Sequence, residues 1–107
     1  MATYEDTLAQ IKEDVEQNHV VLFMKGDRDL PMCGFSARSV QILQAIDADF
    51  TTRNVLDDDA LRQAIKDYSD WPTIPQLYVD GEFVGGSDIM MEMYQNGELK
   101  KVVAVTP

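Results

Sequence analysis

The sequence predicts an α/β fold, a four-stranded mixed sheet with helices on both of its faces. Three observations carry this expectation. Helix-period apolar residues alternate with short β-branched runs, one of those runs is apolar throughout, as in a strand covered on both faces, and the last two strands are joined by Asp80-Gly81, the dipeptide of a tight hairpin. Strand, helix, strand in succession makes a right-handed parallel crossover, and the hairpin adds antiparallel neighbours.

The elements follow in order. Leu8, Ile11 and Val15 recur on one helical face, with Thr3 placed as the N-cap and Asp6 in the first turn. His19 to Met24 reads as a fully buried strand that His19, the only histidine, begins. Lys25 to Met32, rich in Gly, Asp and Pro, is a loop. Gly34 to Ile46 is a second helix, with Phe35, Ser39, Ile42, Leu43 and Ile46 on one side. Phe50 to Val55 alternates as a second strand, and Asp57-Asp58-Asp59 puts negative charge at the start of a third helix whose apolar face carries Leu61, Ile65 and Tyr68. Trp71-Pro72-Thr73-Ile74-Pro75 leads into a hairpin of Gln76 to Val79 and Glu82 to Val84. Gly85-Gly86-Ser87-Asp88 breaks the strand and caps a fourth helix from Ile89 to Gln95, Asn96-Gly97 ends it, and Glu98 to Val103 forms a short last helix.

At 107 residues the chain has room for one domain, residues 1–107, with a modest core. Nineteen acidic residues against nine Lys and Arg give a net charge of −10, which disfavours nucleic acid and anionic membranes as partners. Any anionic ligand must then be met by local cations, which makes Lys25 and Arg62 conspicuous. No apolar run approaches a membrane span, and the first residues lack the apolar core of a signal peptide. One cysteine permits no disulfide within the chain and no cysteine-rich zinc site, and the absence of disulfides suits a reducing, cytoplasmic setting.

That cysteine, Cys33, opens the run Cys33-Gly34-Phe35-Ser36 at the start of the second helix. Backbone N–H groups and the helix dipole favour a thiolate there, and Met24-Lys25-Gly26 brings a cation nearby. A thiolate at neutral pH is a nucleophile or a metal ligand. A lone cysteine is otherwise a small buried hydrophobe, but the flanking loop, the lysine and the helix start argue for chemistry.

Cys33-Gly34-Phe35-Ser36, then Trp71-Pro72 and Thr73-Ile74-Pro75 before a hairpin, then Gly85-Gly86-Ser87-Asp88, with Lys25 ahead of the long loop, together resemble the monothiol glutaredoxins of the CGFS class. The resemblance spans Val20 to about Leu99. It implies a thioredoxin-like three-layer sandwich that binds glutathione. By that resemblance Cys33 lies beside the glutathione sulfur, Lys25 and Arg62 face the glycyl carboxylate, and Ile74, after Thr73 and held by a cis Pro75, pairs with the tripeptide as a strand does. Gly86, Ser87 and Asp88 then hold the γ-glutamyl end. The chemistry is complementary: a peptide needs free backbone donors and acceptors, its carboxylates need cations or a helix N-terminus, and its ammonium needs a carboxylate such as Asp88. The competing readings are plain ones, with Lys25 a solvated loop charge, Arg62 paired with Asp58, the glycines a strand end, and Met90, Met91 and Met93 helix packing.

Two functions follow. A [2Fe-2S] cluster needs four ligands, normally thiolates, and each chain supplies one, as ligand and as catalytic residue, from Cys33. Two chains and two bound glutathiones complete the set, predicting a cluster-bridged homodimer. The resemblance implies an iron–sulfur carrier that delivers to apo-proteins and partners BolA-like proteins. The alternative is a monothiol oxidoreductase that removes glutathione from mixed disulfides, at most a weak enzyme. Gly34, where dithiol members have Pro, and the inserted residues Asp27 to Pro31 favour the carrier. Many members of the class have Cys where Ser87 stands, so a disulfide between that position and Cys33 is not available here.

Overall fold

The computed structural model describes residues 3–104. Its elements are α1 (Tyr4–Gln17), β1 (Val20–Met24), α2 (Gly34–Ala45), β2 (Thr51–Asn54), α3 (Asp59–Ser69), β3 (Gln76–Val79), β4 (Glu82–Gly85), α4 (Ser87–Gln95) and α5 (Glu98–Ala104). The strand order is β2-β1-β3-β4, with β1 parallel to β2 and antiparallel to β3, and β3 antiparallel to β4. This is the mixed sheet the sequence predicts.

The reason β1 is apolar at every position lies in its two faces. Val20, Leu22 and Met24 pack with Val40 and Leu43 of α2, Met90 of α4 and Leu99 of α5. Val21 and Phe23 pack with Ile11 and Val15 of α1 and with Leu61 and Ile65 of α3. Each fully buried side chain of this kind contributes roughly 1.5–3 kcal/mol, so one five-residue strand anchors both helical layers. Among the described residues, no helix is long and apolar enough to cross a membrane.

Side chains fix where the helices begin. Thr3 and Asp6 form a reciprocal capping box at α1, worth about 1 kcal/mol. Asp58 caps α3 by accepting from the Ala60 N–H at 2.9 Å.

Lys25 to Met32 is a tight hairpin and not a slack loop. The Met32 N–H donates to the Lys25 carbonyl at 2.8 Å, and the Asp27 carboxylate accepts from the N–H groups of Asp29 and Leu30, each at 2.9 Å. Arg28 donates to the Phe50 carbonyl and lies 4.2 Å from the centre of the Phe50 ring. Gly26 turns the chain at φ +87°, where a Cβ would lie 2.4 Å from the Leu30 carbonyl oxygen.

Four details differ from expectation. Phe35, placed by its spacing on the apolar side of α2, is 59% exposed, while Ser36 and Val40 are buried instead. Tyr68 is partly exposed, its ring tilted against Tyr78 at 6.0 Å. β2 pairs only over Thr51–Asn54, because it lies at the sheet edge beside a five-residue partner. α4 begins at Ser87, two residues early, with Gly86 as an N-cap that offers no side-chain hydrogen bond.

His19 does more than begin a strand. Its Nδ1 lies 2.6 Å from an Asp80 carboxylate oxygen and its Nε2 lies 2.5 Å from the Val103 carbonyl oxygen. Both partners can only accept, so only the imidazolium, with two N–H donors, satisfies both. The Val103 carbonyl first, then the Asp80 carboxylate, raise the His19 pKa above its ordinary value against a smaller opposing effect of burial. A raised folded-state pKa gives stability that is full below the unfolded value of about 6.5 and is lost as pH rises through the folded value. The thermal stability gap between the wild type and His19→Phe should therefore narrow as pH rises from slightly acid to alkaline. Melting curves across that range check this, and a gap independent of pH would contradict the latch.

Candidate functional site

The end of β1, the start of α2, the turn before β3 and the start of α4 converge on one side of the molecule. They surround a cavity of about 430 Å³, within the range of small-ligand sites. Its walls include all eight residues expected to bind the cofactor: Lys25 after β1, Arg62 on α3, Thr73, Ile74 and Pro75 before β3, and Gly86, Ser87 and Asp88 at α4. The Ile74–Pro75 peptide bond is cis, as the resemblance implies.

Cys33 is the N-cap of α2 and is partly exposed. It is not itself a lining residue. Phe35, which lines the cavity two residues on, and Lys25, whose charge acts on the thiol, connect it to the cavity. Partial burial works against a charged sulfur. Hydrogen bonds from the Ser36 hydroxyl, the Ser36 N–H and the Phe35 N–H, together with the Lys25 ammonium, outweigh that effect and lower the thiol pKa.

The Ser36 hydroxyl has no exposure to solvent and sits at a junction. It accepts from the Lys25 N–H at 3.0 Å and lies 3.3 Å from Cys33 Sγ, accepting from the neutral thiol and able to donate its own proton once the sulfur is ionised. The Ser36 N–H reaches the same sulfur at 3.3 Å. The fourth residue of the motif is thus a donor that favours the thiolate over the thiol.

Electrostatics divide the cavity. Lys25, Arg62 and Lys66 stand on its walls, and among the described residues none of them forms an ion pair. The plain reading of Arg62 as a partner of Asp58 does not hold, since the Asp58 carboxylate is turned to its own helix N-terminus. At the other wall, α4 presents an N-terminus that no side chain caps, with Ser87 Oγ buried and without a hydrogen-bond partner among the described residues. Asp88 follows it, exposed. An elongated molecule with an anionic group at each end and an ammonium beside one of them matches this distribution.

Sequence reasoning passed over several residues. Lys66 lies four residues after Arg62, one turn along the same face, and that spacing alone would have found it. Ile89, partly exposed, forms an apolar wall that only the tertiary structure reveals, beside Trp71, which the sequence marks as part of a motif without showing which way it faces.

Replacing Ser36 with Ala removes the hydroxyl donor and leaves the Lys25 N–H unpaired. The Cys33 pKa should rise, shifting the pH profile of thiol alkylation to higher pH. An unchanged profile would show that the hydroxyl does not stabilise the thiolate.

The chain is similar to known proteins across most of its length. The glutaredoxin family model matches residues 20–84. A monothiol glutaredoxin of Synechocystis sp. is 56% identical over 100 residues, covering 94% of each chain. The mitochondrial monothiol glutaredoxin-5 of Schizosaccharomyces pombe is 51% identical over 100 residues, covering 91% of this chain and 68% of its own. Among solved structures, reduced apo GrxS14 of poplar superposes with a TM-score of 0.77 at 52% identity, covering 87% of this chain and 85% of that one. The thioredoxin-like layering, the lone thiol at a helix start and these relationships together establish that the chain belongs to the glutaredoxin family, in its monothiol branch.

Proposed function

We propose that this chain, as a single domain, binds glutathione in the cavity and, paired with a second copy, carries a [2Fe-2S] cluster to apo-proteins. The observation that carries the reading is one thiolate-favouring sulfur beside a cavity whose two ends attract anions. In this reading the glycyl carboxylate of glutathione meets Lys25, Arg62 and Lys66, and the Ile74 backbone pairs with the peptide. The γ-glutamyl carboxylate meets the N–H groups at Gly86–Ser87 with the Ser87 hydroxyl, and its ammonium meets Asp88. All but the backbone pairing at Ile74 are charge-assisted contacts, in a chain that otherwise repels anions.

Ligand counting supports the cluster as cargo. Among the described residues no three His, Cys, Asp or Glu side chains gather into a metal site. Four sulfurs therefore come from two Cys33 thiolates and two glutathiones. Because half of that set is exchangeable, the cluster is easily surrendered, which suits delivery better than permanent electron transfer. A BolA-like protein in place of the second copy, and apo iron–sulfur proteins as recipients, are the partners this reading implies. It requires a reducing compartment. The cytoplasm is one, and relatives are named as chloroplastic and mitochondrial.

The lowered thiol pKa also favours a second reading, glutathione-dependent thiol–disulfide exchange. Cys33 thiolate attacks the glutathione sulfur of a mixed disulfide, forming a Cys33–glutathione disulfide and releasing the other thiol as its thiolate. A second glutathione thiolate then attacks the bound glutathione sulfur, leaving oxidised glutathione and free Cys33.

Anaerobic reconstitution with iron, sulfide and glutathione separates the two. The carrier reading expects a coloured dimer that bleaches to a colourless monomer when glutathione is withdrawn, and expects no cluster in Cys33→Ser. A colourless monomer active in deglutathionylation would replace it with the second reading. Lys25→Ala should weaken glutathione binding by about 1.5–3 kcal/mol, the worth of a hydrogen bond to a charged group. Unchanged affinity on titration would remove Lys25 from the site.

A further inference from the structure

Behind the turn that forms one wall of the cavity lies an amide with no access to solvent. Gln76, the first residue of β3, is completely buried. Its Nε2 donates to the carbonyl oxygens of Trp71 and Thr73, each at 3.2 Å, and its Oε1 accepts from the Tyr78 hydroxyl at 3.3 Å. The two backbone carbonyls can only accept, so the orientation of the amide is fixed: nitrogen towards the turn, oxygen towards Tyr78. Both of its hydrogens are used, and both are used on residues 71–75.

That turn has few other means of holding its shape. Pro72 and Pro75 have no N–H. Trp71 N–H is tied to Ser69 Oγ and to the Lys66 carbonyl, each at 3.1 Å, which secures only its entrance. Among the described residues, nothing hydrogen-bonds to the N–H or carbonyl of Ile74, the cavity residue at the centre of the turn. Gln76 is thus the side chain that holds both carbonyls, with Ser69 Oγ a more distant second donor to Trp71 at 3.5 Å, while the peptide groups a ligand would use stay free.

We infer that Gln76 is a positioning residue: by holding the Trp71 and Thr73 carbonyls from behind, it presents the Ile74 backbone to the peptide ligand that it never touches. The inference rests on the glutathione reading above. It also says why a fully polar residue occupies a position where both flanking layers are apolar. An aliphatic side chain there would leave the Thr73 carbonyl without its donor and the Trp71 carbonyl with only the long contact from Ser69 Oγ at 3.5 Å, and the turn would be free to shift.

Gln76→Glu turns this into a measurement, because its shape is nearly unchanged while its donors depend on pH. Protonated, the carboxyl can donate to one of the two carbonyls and still accept from Tyr78. Ionised, it has no donor at all and faces two carbonyl oxygens. Burial raises its pKa, and the pH at which it ionises is read from the side-chain carboxyl resonance of Gln76→Glu. Glutathione titrations followed by backbone amide chemical shifts, well below and well above that pH, should show the affinity of Gln76→Glu relative to wild type falling about tenfold between the two. The alkylation profile of Cys33 should not move, since the thiol is held from α2 and Lys25.

A relative affinity that stays within about twofold at both pH values would overturn the role of Gln76. If Gln76→Glu loses its fold at the higher pH, Gln76→Met takes its place, neutral at every pH and of similar length. Folded by circular dichroism, it should bind about tenfold more weakly at both pH values, and wild-type affinity would overturn the role. A wild type that binds no glutathione, with a normal Cys33 profile, would refute the glutathione reading itself, and with it this one.

Discussion

The hydrogen bond from the Lys25 N–H to the Ser36 hydroxyl is the contact on which the site depends. It joins the end of a strand buried on both faces to the first turn of α2, across a hairpin that would otherwise be free to reorient. The same hydroxyl lies 3.3 Å from Cys33 Sγ and can donate to it once the sulfur is ionised. Strand position, helix position and thiol ionisation therefore share one atom. The hairpin of residues 25–32 reinforces this from the other side, through Arg28 on Phe50 and through Gly26, whose N–H donates to the Asn54 side chain at 2.9 Å. A nucleophile or ligand held in this way undergoes little rearrangement when it reacts.

The charge distribution gives the cavity its selectivity. A net charge of −10 repels anions at long range, yet three cations and an uncapped helix N-terminus meet inside one cavity of a 107-residue chain. Beyond about 8 Å in physiological salt the acidic surface is largely screened, so a small anionic ligand responds mainly to the local groups. A large polyanion, in contact with the whole surface, meets the acidic residues as well. The arrangement thus favours a small anionic ligand over a large polyanion.

The order of elements was legible because its signals are local, whereas the residues that line the cavity were named through the family resemblance that the Cys33-Gly34-Phe35-Ser36, Thr73-Ile74-Pro75 and Gly85-Gly86-Ser87-Asp88 motifs carry. Apolar periodicity, an Asp-Gly turn and cysteine at a helix start each act within a few residues, and the eight expected cavity residues do line one space. What was not legible depends on distant partners. His19 reads as a strand start until α5, 84 residues later, supplies the Val103 carbonyl. Gln76 reads as the polar first residue of a hairpin until its amide is seen beneath Trp71 and Thr73. Phe35 fits a helical period, but its ring is exposed and lines the cavity, while its neighbour Ser36 is the one buried. Ser36 shows the same limit: the sequence marks it as part of a motif, and only the folded chain brings the Lys25 N–H onto its hydroxyl.

The single sulfur and Ser87 also determine what kind of chemistry is possible. With no second thiol in the chain, Cys33 cannot be protected or regulated by an internal disulfide. Every sulfur–sulfur bond or shared metal at this position must include another molecule. An isolated exposed thiolate would be open to irreversible oxidation. The cavity beside Cys33 offers a remedy, since a small thiol bound there is the nearest available partner for a reversible disulfide or for a shared cluster. Ser87 gives up the internal partner and leaves a buried hydroxyl on the cavity wall, without a partner among the described residues. Any disulfide or shared metal at Cys33 therefore has to be completed from outside the chain.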